Sequence, residues 1–403
     1  MTKATIPVLE NYRRYISIMK NQARDIVRTL NRSSIREVAD VGMDQQGVDA
    51  FWFGESDEIT HEAIRQAAIK SLQAGDTFYS QNLGIPELRE SITMYSTSLH
   101  GYSHQRSIAV TNSGMSALMI AIQAIVNPGD EVSIITPVWP NLVEIPKIIG
   151  GLSVREPLRY ENQRWQLDLD HLLSSLTRKT KAILINSPNN PTGWTISTEE
   201  QKVILEHCRK QGIWIIADDA YERLHYSSAL TAPSFLPLVD EEDRFISVNT
   251  FSKTWQMTGW RLGWINMPQS LEIDIGTLIE YNTSCAPVFV QRAGVAALSL
   301  GEEPISAVKN KLRHARDHLL SGLRDIESLE LSNPEGAMYL FIRVSNLKDS
   351  LSFTKELVRK HGLGLAPGQA FGPEGEGYVR WCFATSTDRL ELGIEKIKSI
   401  FQT

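Results

Sequence analysis

The sequence contains few cysteines. Three occur in 403 residues, at Cys208, Cys285 and Cys382, and they show no spacing typical of a metal site. Three scattered cysteines cannot form a disulfide framework, so they exclude a disulfide-stabilised secreted scaffold and fit a reducing compartment. We therefore expect a cytoplasmic protein.

The sequence also lacks long apolar runs and an excess of basic residues. Its longest apolar run, "MSALMIAIQAIV", falls short of the roughly 20 residues needed to cross a bilayer, and a buried helix explains it better. The first 20 residues show no apolar segment followed by a small-residue cleavage site, so we expect no secretion signal. The net charge is −6, which disfavours nucleic acid as a partner. We expect neither a membrane nor a nucleic-acid partner.

No metal motif stands out either. "THEAIR" places His61 beside Glu62, but no second histidine follows at helical spacing. We interpret this segment as the start of a helix with Thr60 as its N-cap, and we expect no metal.

The middle of the chain alternates short apolar runs with helical patterns. "RSIAVTNSG", "DEVSIITP", "KAILINSP", "IWIIADDA" and "FISVNTFS" are predicted strands, and an apolar helix is expected over about 114–126. In "STEEQKVILEHCRKQG", Ser197 and Glu200 predict a capping box and Gly212 a helix stop. Strands rich in Ile, Val and Leu between helices predict an α/β fold with a mostly parallel sheet covered on both faces.

The pattern changes near the C-terminal end. A long charged helix (about 304–326) precedes "AMYLFIRV", a helix, "YVRWCFAT" and a last helix, which indicates a smaller α+β domain. The first 50 residues or so carry a helical pattern and are expected to pack with it. We therefore predict a large domain over residues 56–295, and a small domain formed by residues 1–55, including an N-terminal arm, and 296–403.

One lysine lies in an unusual setting. "NTFSKTWQMTGWRLGW" (249–264) surrounds Lys253 with Phe251, Trp255 and Trp260. A surface lysine on an irregular segment is the ordinary explanation. The alternative is a desolvated amine, which loses its proton more easily and can act as a nucleophile.

Residues at the ends of the other predicted strands favour the alternative, because ligands of open α/β sheets bind at the carboxyl ends of strands. The strand ends carry a helix N-terminus, an aromatic ring, an amide and a carboxylate with a tyrosine three residues on: Ser113 and Gly114, Trp139, Asn190, and Asp218 with Tyr221. This set suits pyridoxal 5′-phosphate. Its aldehyde needs a lysine, its ring nitrogen a carboxylate and its phosphate a helix N-terminus with an arginine. Arg261, eight residues after Lys253, is the candidate arginine.

With these motifs the chain resembles the class I/II aminotransferases, which are fold type I pyridoxal-phosphate enzymes. The resemblance covers nearly the whole chain. It rests on the combination of "GIPELRE" (84–90), "SGMSAL" (113–118), "PVWPN" (137–141), "SPNNPTG" (187–193), "DDAY" (218–221), "SKTWQMTGWRLG" (252–263) and "VRWCFATS" (379–386).

The resemblance implies a role for each matching residue. Lys253 would form the Schiff base and shuttle the proton, and Asp218 would pair with the pyridinium nitrogen. Tyr221 and Asn190 would bond to the phenolic oxygen of the ring, and Trp139 would stack on the ring. Lys253, Asp218 and Tyr221 are the predicted catalytic residues.

The resemblance also implies phosphate, substrate and subunit contacts. The predicted phosphate ligands are Ser113, Gly114, Met115, Thr250 and Arg261. Arg380 would bind the substrate α-carboxylate, with Gly54 and Asn190 beside the substrate. Tyr79 would reach the phosphate of the neighbouring subunit, which implies a homodimer with active sites at its interface.

The sequence departs from the family pattern at several of these motifs. Thr250 stands where Ser or Gly is usual, and Gln256, three residues after the lysine, replaces a small or apolar residue. Met115 replaces a hydroxyl residue, so we expect only its backbone N–H to contribute. "GESDEITHE" (54–62) keeps Gly54 but breaks the proline pattern of relatives such as "GEPDFDTP".

The predicted activity is transamination between an L-amino acid and a 2-oxo acid. A C–S β-lyase or a decarboxylase would share the fold and the site, and a non-enzymatic regulator would need an added DNA-binding module. The residues just before "YNTSCAP" (281–287), "GTLIE", contain no arginine, whereas aspartate-type relatives carry their distal-carboxylate arginine there. Glu280 lies there instead, and Arg292 is expected to be structural. We therefore expect neutral, bulky or aromatic donors.

Overall fold

The computed structural model describes residues 23–102 and 105–401, and the predictions for residues 1–22 fall outside that range. The chain divides after Asn31 into two units. The described part of the first unit holds helix α1 (Asp25–Thr29). The helices of the second unit are α2 (Ser34–Gly42), α3 (Glu62–Gln73), α4 (Pro86–His100), α5 (Gly114–Ile125), α6 (Pro140–Ile148), α7 (Leu169–Ser175), α8 (Thr198–Gln211), α9 (Glu272–Asn282), α10 (Val288–Leu298), α11 (Glu302–Leu323), α12 (Ser350–His361) and α13 (Thr387–Phe401).

The strands of the second unit fall into two main sheets and two short pairs. In chain order they are β1 (Asp49–Ala50), β2 (Ser107–Thr111), β3 (Glu131–Thr136), β4 (Leu152–Pro157), β5 (Arg159–Glu161), β6 (Arg164–Gln166), β7 (Thr180–Asn186), β8 (Trp214–Asp218), β9 (Phe245–Thr250), β10 (Gly263–Met267), β11 (Leu329–Leu331), β12 (Tyr339–Val344), β13 (Leu363–Gly364), β14 (Ala366–Pro367) and β15 (Tyr378–Cys382).

The larger sheet has seven strands in the order β2-β10-β9-β8-β7-β3-β4. All neighbouring strands are parallel except β10, which runs antiparallel to β2 and β9. Every residue of β2, β9 and β10 is buried, as expected for a sheet covered on both faces. The predicted α/β fold is confirmed. The antiparallel strand β10 was not predicted, because its sequence follows directly on the lysine motif.

The smaller sheet is antiparallel, with the order β11-β12-β15-β14. Its register pairs Phe341 with Arg380, so Arg380 lies in the interior of a buried strand. Helices α11 and α13 pack together beside this sheet. This sheet is the predicted smaller α+β region, while the exact domain limits stay a prediction.

The helix caps show where the local sequence was sufficient to predict the structure and where it was not. Helix α8 has the predicted capping box between Ser197 and Glu200, and Gly212 ends it in the left-handed conformation at φ 69°. The predicted cap of α3 was wrong. His61 is its N-cap and accepts from the backbone N of Ala63 at 3.2 Å. The Thr60 hydroxyl instead donates to the carbonyl of Gln256 at 2.7 Å, a contact nearly 200 residues away in sequence that no local pattern reveals.

No helix within residues 23–102 and 105–401 is long and apolar enough to cross a lipid bilayer.

Candidate active site

A cavity of about 590 Å³ opens at the carboxyl ends of the parallel strands. The predicted residues that line it are Gly54, Gly114, Met115, Trp139, Asn190, Asp218, Tyr221, Thr250, Lys253, Arg261 and Arg380. Strands β7, β8 and β9 end at Asn186, Asp218 and Thr250. Because these strands are parallel, their carboxyl ends bring residues from distant parts of the sequence to the same edge of the sheet. Two predicted residues, Ser113 and Tyr79, do not line the cavity.

Lys253 follows strand β9, and its amine lies inside the cavity. Its Nζ donates to the carbonyl oxygen of Gly54 at 2.5 Å and lies 5.8 Å from the ring centre of Tyr221. Separation from bulk water lowers the pKa of Lys253 to about 8. The aromatic residues around it in sequence belong to the core, where the ring of Trp255 lies 5.0 Å from that of Phe251. Packed aromatic side chains therefore flank Lys253 in the sequence, and its lowered pKa makes the amine easier to deprotonate.

Asp218 ends strand β8 and is buried, with 6% of its surface exposed. Its Oδ1 accepts from the backbone N of Ala220 at 3.3 Å. No described Lys, Arg or His pairs with it. Burial raises the pKa of Asp218 to about 6. The Lys253 charge acts in the opposite direction but does not offset burial, so a cationic ligand group would stabilise this carboxylate. The protonated ring nitrogen of pyridoxal phosphate has that character, and the residues present fit the cofactor here.

The neighbouring Asp219 is the competing carboxylate in the sequence. Its Oδ2 accepts from the Ser247 hydroxyl at 2.5 Å, and it does not line the cavity. Burial, and then the nearby Glu222 carboxylate, raises the pKa of Asp219. Asp218 is therefore the carboxylate that faces the ligand space.

A possible phosphate cradle lies at the N-terminus of α5. Ser113 is the N-cap at φ 137°, and its Oγ accepts from the backbone N of Ser116 at 3.1 Å, so its side chain closes the helix end. A Cβ atom on Gly263 would lie 2.5 Å from the backbone N of Gly114, so only glycine lets β10 approach the helix end. The free N–H groups and the helix dipole favour an anion here.

Arg261 completes the cradle. Its backbone is in the left-handed conformation at φ 56°, and its Nη1 donates to the carbonyl of Thr258 at 2.7 Å. It has no carboxylate partner among the described residues, although several other arginines do. An arginine without an acid beside a helix N-terminus suits a dianionic phosphate. Thr250, whose hydroxyl donates to the carbonyl of Leu262 at 3.1 Å, ties the end of β9 to the loop that carries Arg261.

Arg380 approaches from the smaller sheet and is 2% exposed. Its Nη1 donates to Oδ1 of Asn190 at 3.0 Å, and its Nη2 donates to the carbonyl of Trp52. Its guanidinium carbon lies 4.3 Å from the ring centre of Tyr339, and no described residue bonds to its buried Nε. These contacts leave a fixed, incompletely bonded guanidinium at the cavity, suited to a carboxylate.

Several residues of the site were not predicted. Tyr339 bonds to Tyr221 through their hydroxyl groups at 2.7 Å, and burial raises the pKa of Tyr339 to about 12. Asn186 accepts from the backbone N of Asn190 at 2.8 Å and donates to the carbonyl of Asp218 at 3.2 Å. The signal for Asn186 was a polar residue ending an apolar strand. Tyr339 lies in an apolar strand far along the chain, and no local signal marks it.

Other residues that line the cavity had no predicted role. Ser33, Ile35, Arg36, Trp52, Phe53, Glu55 and Asn141 line it, in addition to the predicted residues. Most of them come from the region before residue 56, where Gly54 was the one residue predicted to lie at the site.

The lowered pKa of Lys253 predicts a pH dependence. The uncharged amine is the nucleophile, so the rate at which cofactor-free protein reacts with pyridoxal 5′-phosphate should rise with pH through a midpoint near 8. An exposed lysine would give a midpoint of about 10.4. Stopped-flow absorbance between pH 6 and 11 measures this midpoint. A midpoint above about 10, or an unchanged profile in Lys253→Ala, would contradict the assignment.

Comparison with known proteins agrees with this geometry. The family "Aminotransferase class I and II" matches residues 50–397. An aspartate aminotransferase of Pyrococcus horikoshii is 33% identical over 93% of this chain and 96% of its own. An aromatic-amino-acid aminotransferase of Thermococcus litoralis is 29% identical over 94% of this chain and 98% of its own. The crystal structure of an aspartate aminotransferase from Thermotoga maritima matches with a TM-score of 0.87 and 29% identity, covering 94% of this chain and all of that one. The chain therefore belongs to the class I and II aminotransferases, a family of enzymes that depend on pyridoxal 5′-phosphate.

Proposed function

We propose that the protein moves an amino group from a neutral, bulky or aromatic L-amino acid to a 2-oxo acid, with Lys253 as the lysine that bonds to the cofactor. One observation carries this proposal. A single cavity contains the lysine amine of lowered pKa, the buried carboxylate of Asp218, an anion cradle at Gly114 and the incompletely bonded guanidinium of Arg380. These four features match the amine, ring, phosphate and carboxylate that the reaction must handle.

Bound pyridoxal phosphate supplies an aldehyde that joins the substrate amino group and a ring that accepts electrons from the substrate. Asp218 would keep the ring nitrogen protonated, because a buried carboxylate needs a cation beside it. Trp139 would stack on the ring. Tyr221 and the side-chain Nδ2 of Asn190 would donate hydrogen bonds to its phenolic oxygen.

The remaining residues of the site would hold the two charged ends. The N–H groups of Gly114 and Met115, with Thr250 and Arg261, would bind the phosphate, while Ser113 shapes the helix end that presents them. Arg380 would hold the substrate α-carboxylate beside Gly54. This contact would fix the orientation of the substrate α-carbon in the cavity.

Lys253 would then act as the base at the substrate α-carbon. With a pKa near 8, a substantial share of the amine is uncharged at neutral to mildly alkaline pH. It can therefore take the proton from the substrate α-carbon. Such general-base catalysis typically contributes about 10²–10⁴-fold to the rate.

The alternative activity is that of a C–S β-lyase or a decarboxylase on the same site. A product assay separates them. The purified enzyme is given an amino acid with and without a 2-oxo acid acceptor, and the products are separated by chromatography. Transamination yields a new amino acid only when the acceptor is present and releases no ammonia. Ammonia and an oxo acid formed without acceptor would indicate a lyase, and carbon dioxide with an amine would indicate a decarboxylase.

The preference for neutral donors is supported by nearby charged side chains that already have partners within the protein. Arg292, the arginine closest to the segment where aspartate-type relatives carry theirs, pairs with Glu87 at 3.0 Å. Glu280 accepts from Asn82 at 3.1 Å. Ile35, Trp52 and Phe53 add apolar surface to the cavity. The relatives' names include both aspartate and aromatic substrates, so the side-chain preference rests on these residues.

One cation at the mouth favours a dicarboxylic oxo acid as the acceptor. Arg36 lines the cavity, and its guanidinium carbon lies 5.6 Å from the ring centre of Phe53. No ion pair joins Arg36 to a carboxylate among the described residues. It could therefore bind the distal carboxylate of an acceptor while the apolar walls accommodate a neutral donor.

The Arg36→Gln variant tests this role. A charge-assisted hydrogen bond contributes about 1.5–3 kcal/mol, so kcat/KM for 2-oxoglutarate should fall about 10- to 100-fold. The value for neutral donors should change by less than about threefold, within the effect of an ordinary surface substitution. The matched control is Arg32→Gln, an exposed arginine that does not line the cavity. Equal losses for donor and acceptor would contradict the role.

We also infer a homodimer that buries an aromatic surface. Tyr79 is 88% exposed, Phe78 83% and Tyr281 84%. Their segments are joined by the contact between the backbone N of Ser80 and Cys285. A cluster of exposed aromatic side chains is typical of an interface. Burial there would bring Tyr79 toward a neighbouring phosphate site, as the family pattern implies.

A cytoplasmic location fits three cysteines that form no disulfide.

A further inference from the structure

Two departures from the family pattern contact each other beside Lys253. Glu58 belongs to "GESDEITHE", and Gln256 follows the lysine by three residues. Nε2 of Gln256 donates to Oε2 of Glu58 at 2.6 Å, across nearly 200 residues of sequence. The other carboxylate oxygen of Glu58 forms an ion pair with Lys311 on helix α11. Glu58 thus links the lysine loop to the helix beside the smaller sheet.

The segment that carries Glu58, residues 54–60, is here called the strap. One end of the strap holds the lysine amine, because the carbonyl of Gly54 accepts from Lys253 Nζ at 2.5 Å. At the other end, the Thr60 hydroxyl donates to the carbonyl of Gln256 at 2.7 Å and accepts from Nε1 of Trp260 at 3.0 Å. Glu58 lies between these two attachments. A substitution at Glu58 should therefore alter the position of Gly54.

A second route leads from Glu58 to the lysine through the backbone. The turn that starts at Lys253 closes when the backbone N of Gln256 donates to the Lys253 carbonyl at 3.3 Å. Gln256 adopts φ 54°, a left-handed conformation that residues other than glycine rarely adopt. Such a conformation persists only when surrounding contacts fix it, and the bond to Glu58 is one of those contacts.

The same residues share a small space with the lysine. A cavity of about 20 Å³ is lined by Lys253, Glu58, Gln256 and Lys311, and it has room for about one water molecule. Partial burial by itself would raise the pKa of Glu58. Hydrogen bonds from Lys311 and Gln256 more than offset this and leave that pKa below its ordinary value. Glu58 is therefore charged at neutral pH, next to the space that Lys253 adjoins.

We infer that Glu58 is a positioning residue. Through Gln256 and Lys311 it fixes the strap and the lysine turn, and so sets where the amine of Lys253 lies. It does not line the cavity that would hold substrate and cofactor. The inference rests on the proposed role of Lys253 and adds Glu58 and Gln256 as residues that position its amine.

The test compares Glu58→Ala, Gln256→Ala and the double variant with the wild type. The first readout is the pH midpoint for the reaction of cofactor-free protein with pyridoxal 5′-phosphate. A loosened strap admits water, and desolvation is the main cause of the lowered lysine pKa. The midpoint should therefore rise by about half a unit or more in Glu58→Ala. The second readout is turnover, where kcat should fall about tenfold while KM for the amino acid stays within about twofold.

The coupling between the two residues is decisive. The double variant should lose no more than Glu58→Ala alone, because both substitutions break one contact. Glu58→Gln keeps an oxygen for Gln256 and should restore most of the midpoint and of kcat, which also covers the case in which Glu58→Ala does not fold. Glu62→Gln, an exposed carboxylate four residues away, is the matched control and should resemble the wild type.

Failure of this inference differs from failure of the proposed function. If the wild-type midpoint lies near 8 and is lost in Lys253→Ala, the lysine is correctly assigned. An unmoved midpoint and an unchanged kcat in Glu58→Ala would then overturn the positioning role alone. If Lys253→Ala still reacts like the wild type, the proposed function itself is wrong.

Discussion

The Lys253→Ala variant is expected to lose turnover by at least about 10⁴-fold, the upper end of the range for a general base. The loss should be this large because the proposed mechanism uses the amine twice, as the group that bonds to the cofactor and as the base at the α-carbon. No second lysine of the described part of the chain lines the cavity. The cofactor should still bind, because the cradle at Gly114 and Arg261 and the carboxylate of Asp218 remain.

Steady-state kinetics and cofactor retention after dialysis measure these two effects separately. Lys202→Ala, at an exposed position on α8, is the control and should keep full activity. A Lys253→Ala variant that retains more than about a tenth of its turnover would require another catalytic base.

The Asp218→Asn variant should reduce kcat by about 10²–10³-fold, the scale observed when one preorganised electrostatic contact is removed. Asparagine has nearly the same shape, so the end of β8 should keep its structure. It cannot neutralise a cationic ring, so the ring would lose its proton and accept electrons poorly. The fold should survive, because the substitution removes a carboxylate whose burial is unfavourable and which forms no ion pair with a described residue.

Asp219→Asn is the matched comparison, one residue further along the chain. Its carboxylate bonds to Ser247 outside the cavity, so its loss should affect stability more than turnover. Thermal denaturation and kcat are compared for both variants. An active Asp218→Asn together with an inactive Asp219→Asn would show that the assignment is wrong by one residue.

The parts of this site that sequence could predict lie at strand ends and turns. Asp218 ends an apolar strand, and the family motif marks Lys253 and Arg261, so local pattern and resemblance together placed them. Because the strands are parallel, these residues lie at the same edge of the sheet. The capping box of α8 was predicted for the same reason, since its signal lies within four residues.

The residues that escaped prediction depend on contacts between distant segments. Tyr339 is one apolar-strand residue among many until the fold brings its hydroxyl to that of Tyr221. Arg36 comes from a helix that the sequence marks only as helical. Thr60 was assigned to a cap because its neighbours resemble a helix start, whereas the fold uses it to tie the strap to Gln256. Contacts across 100–200 residues leave no periodic trace in the chain.

Borohydride reduction of the cofactor-loaded enzyme followed by peptide mapping shows which lysine bonds to the cofactor. Reduction fixes the cofactor to whichever lysine holds it, and mass spectrometry of the digest then identifies that residue. The site geometry predicts that label appears on the peptide containing Lys253, at close to one cofactor per chain, and that Lys253→Ala carries none. Label on any other lysine would overturn this assignment, because among the described residues Lys253 is the one lysine that lines the cavity with Asp218, Gly114 and Arg380.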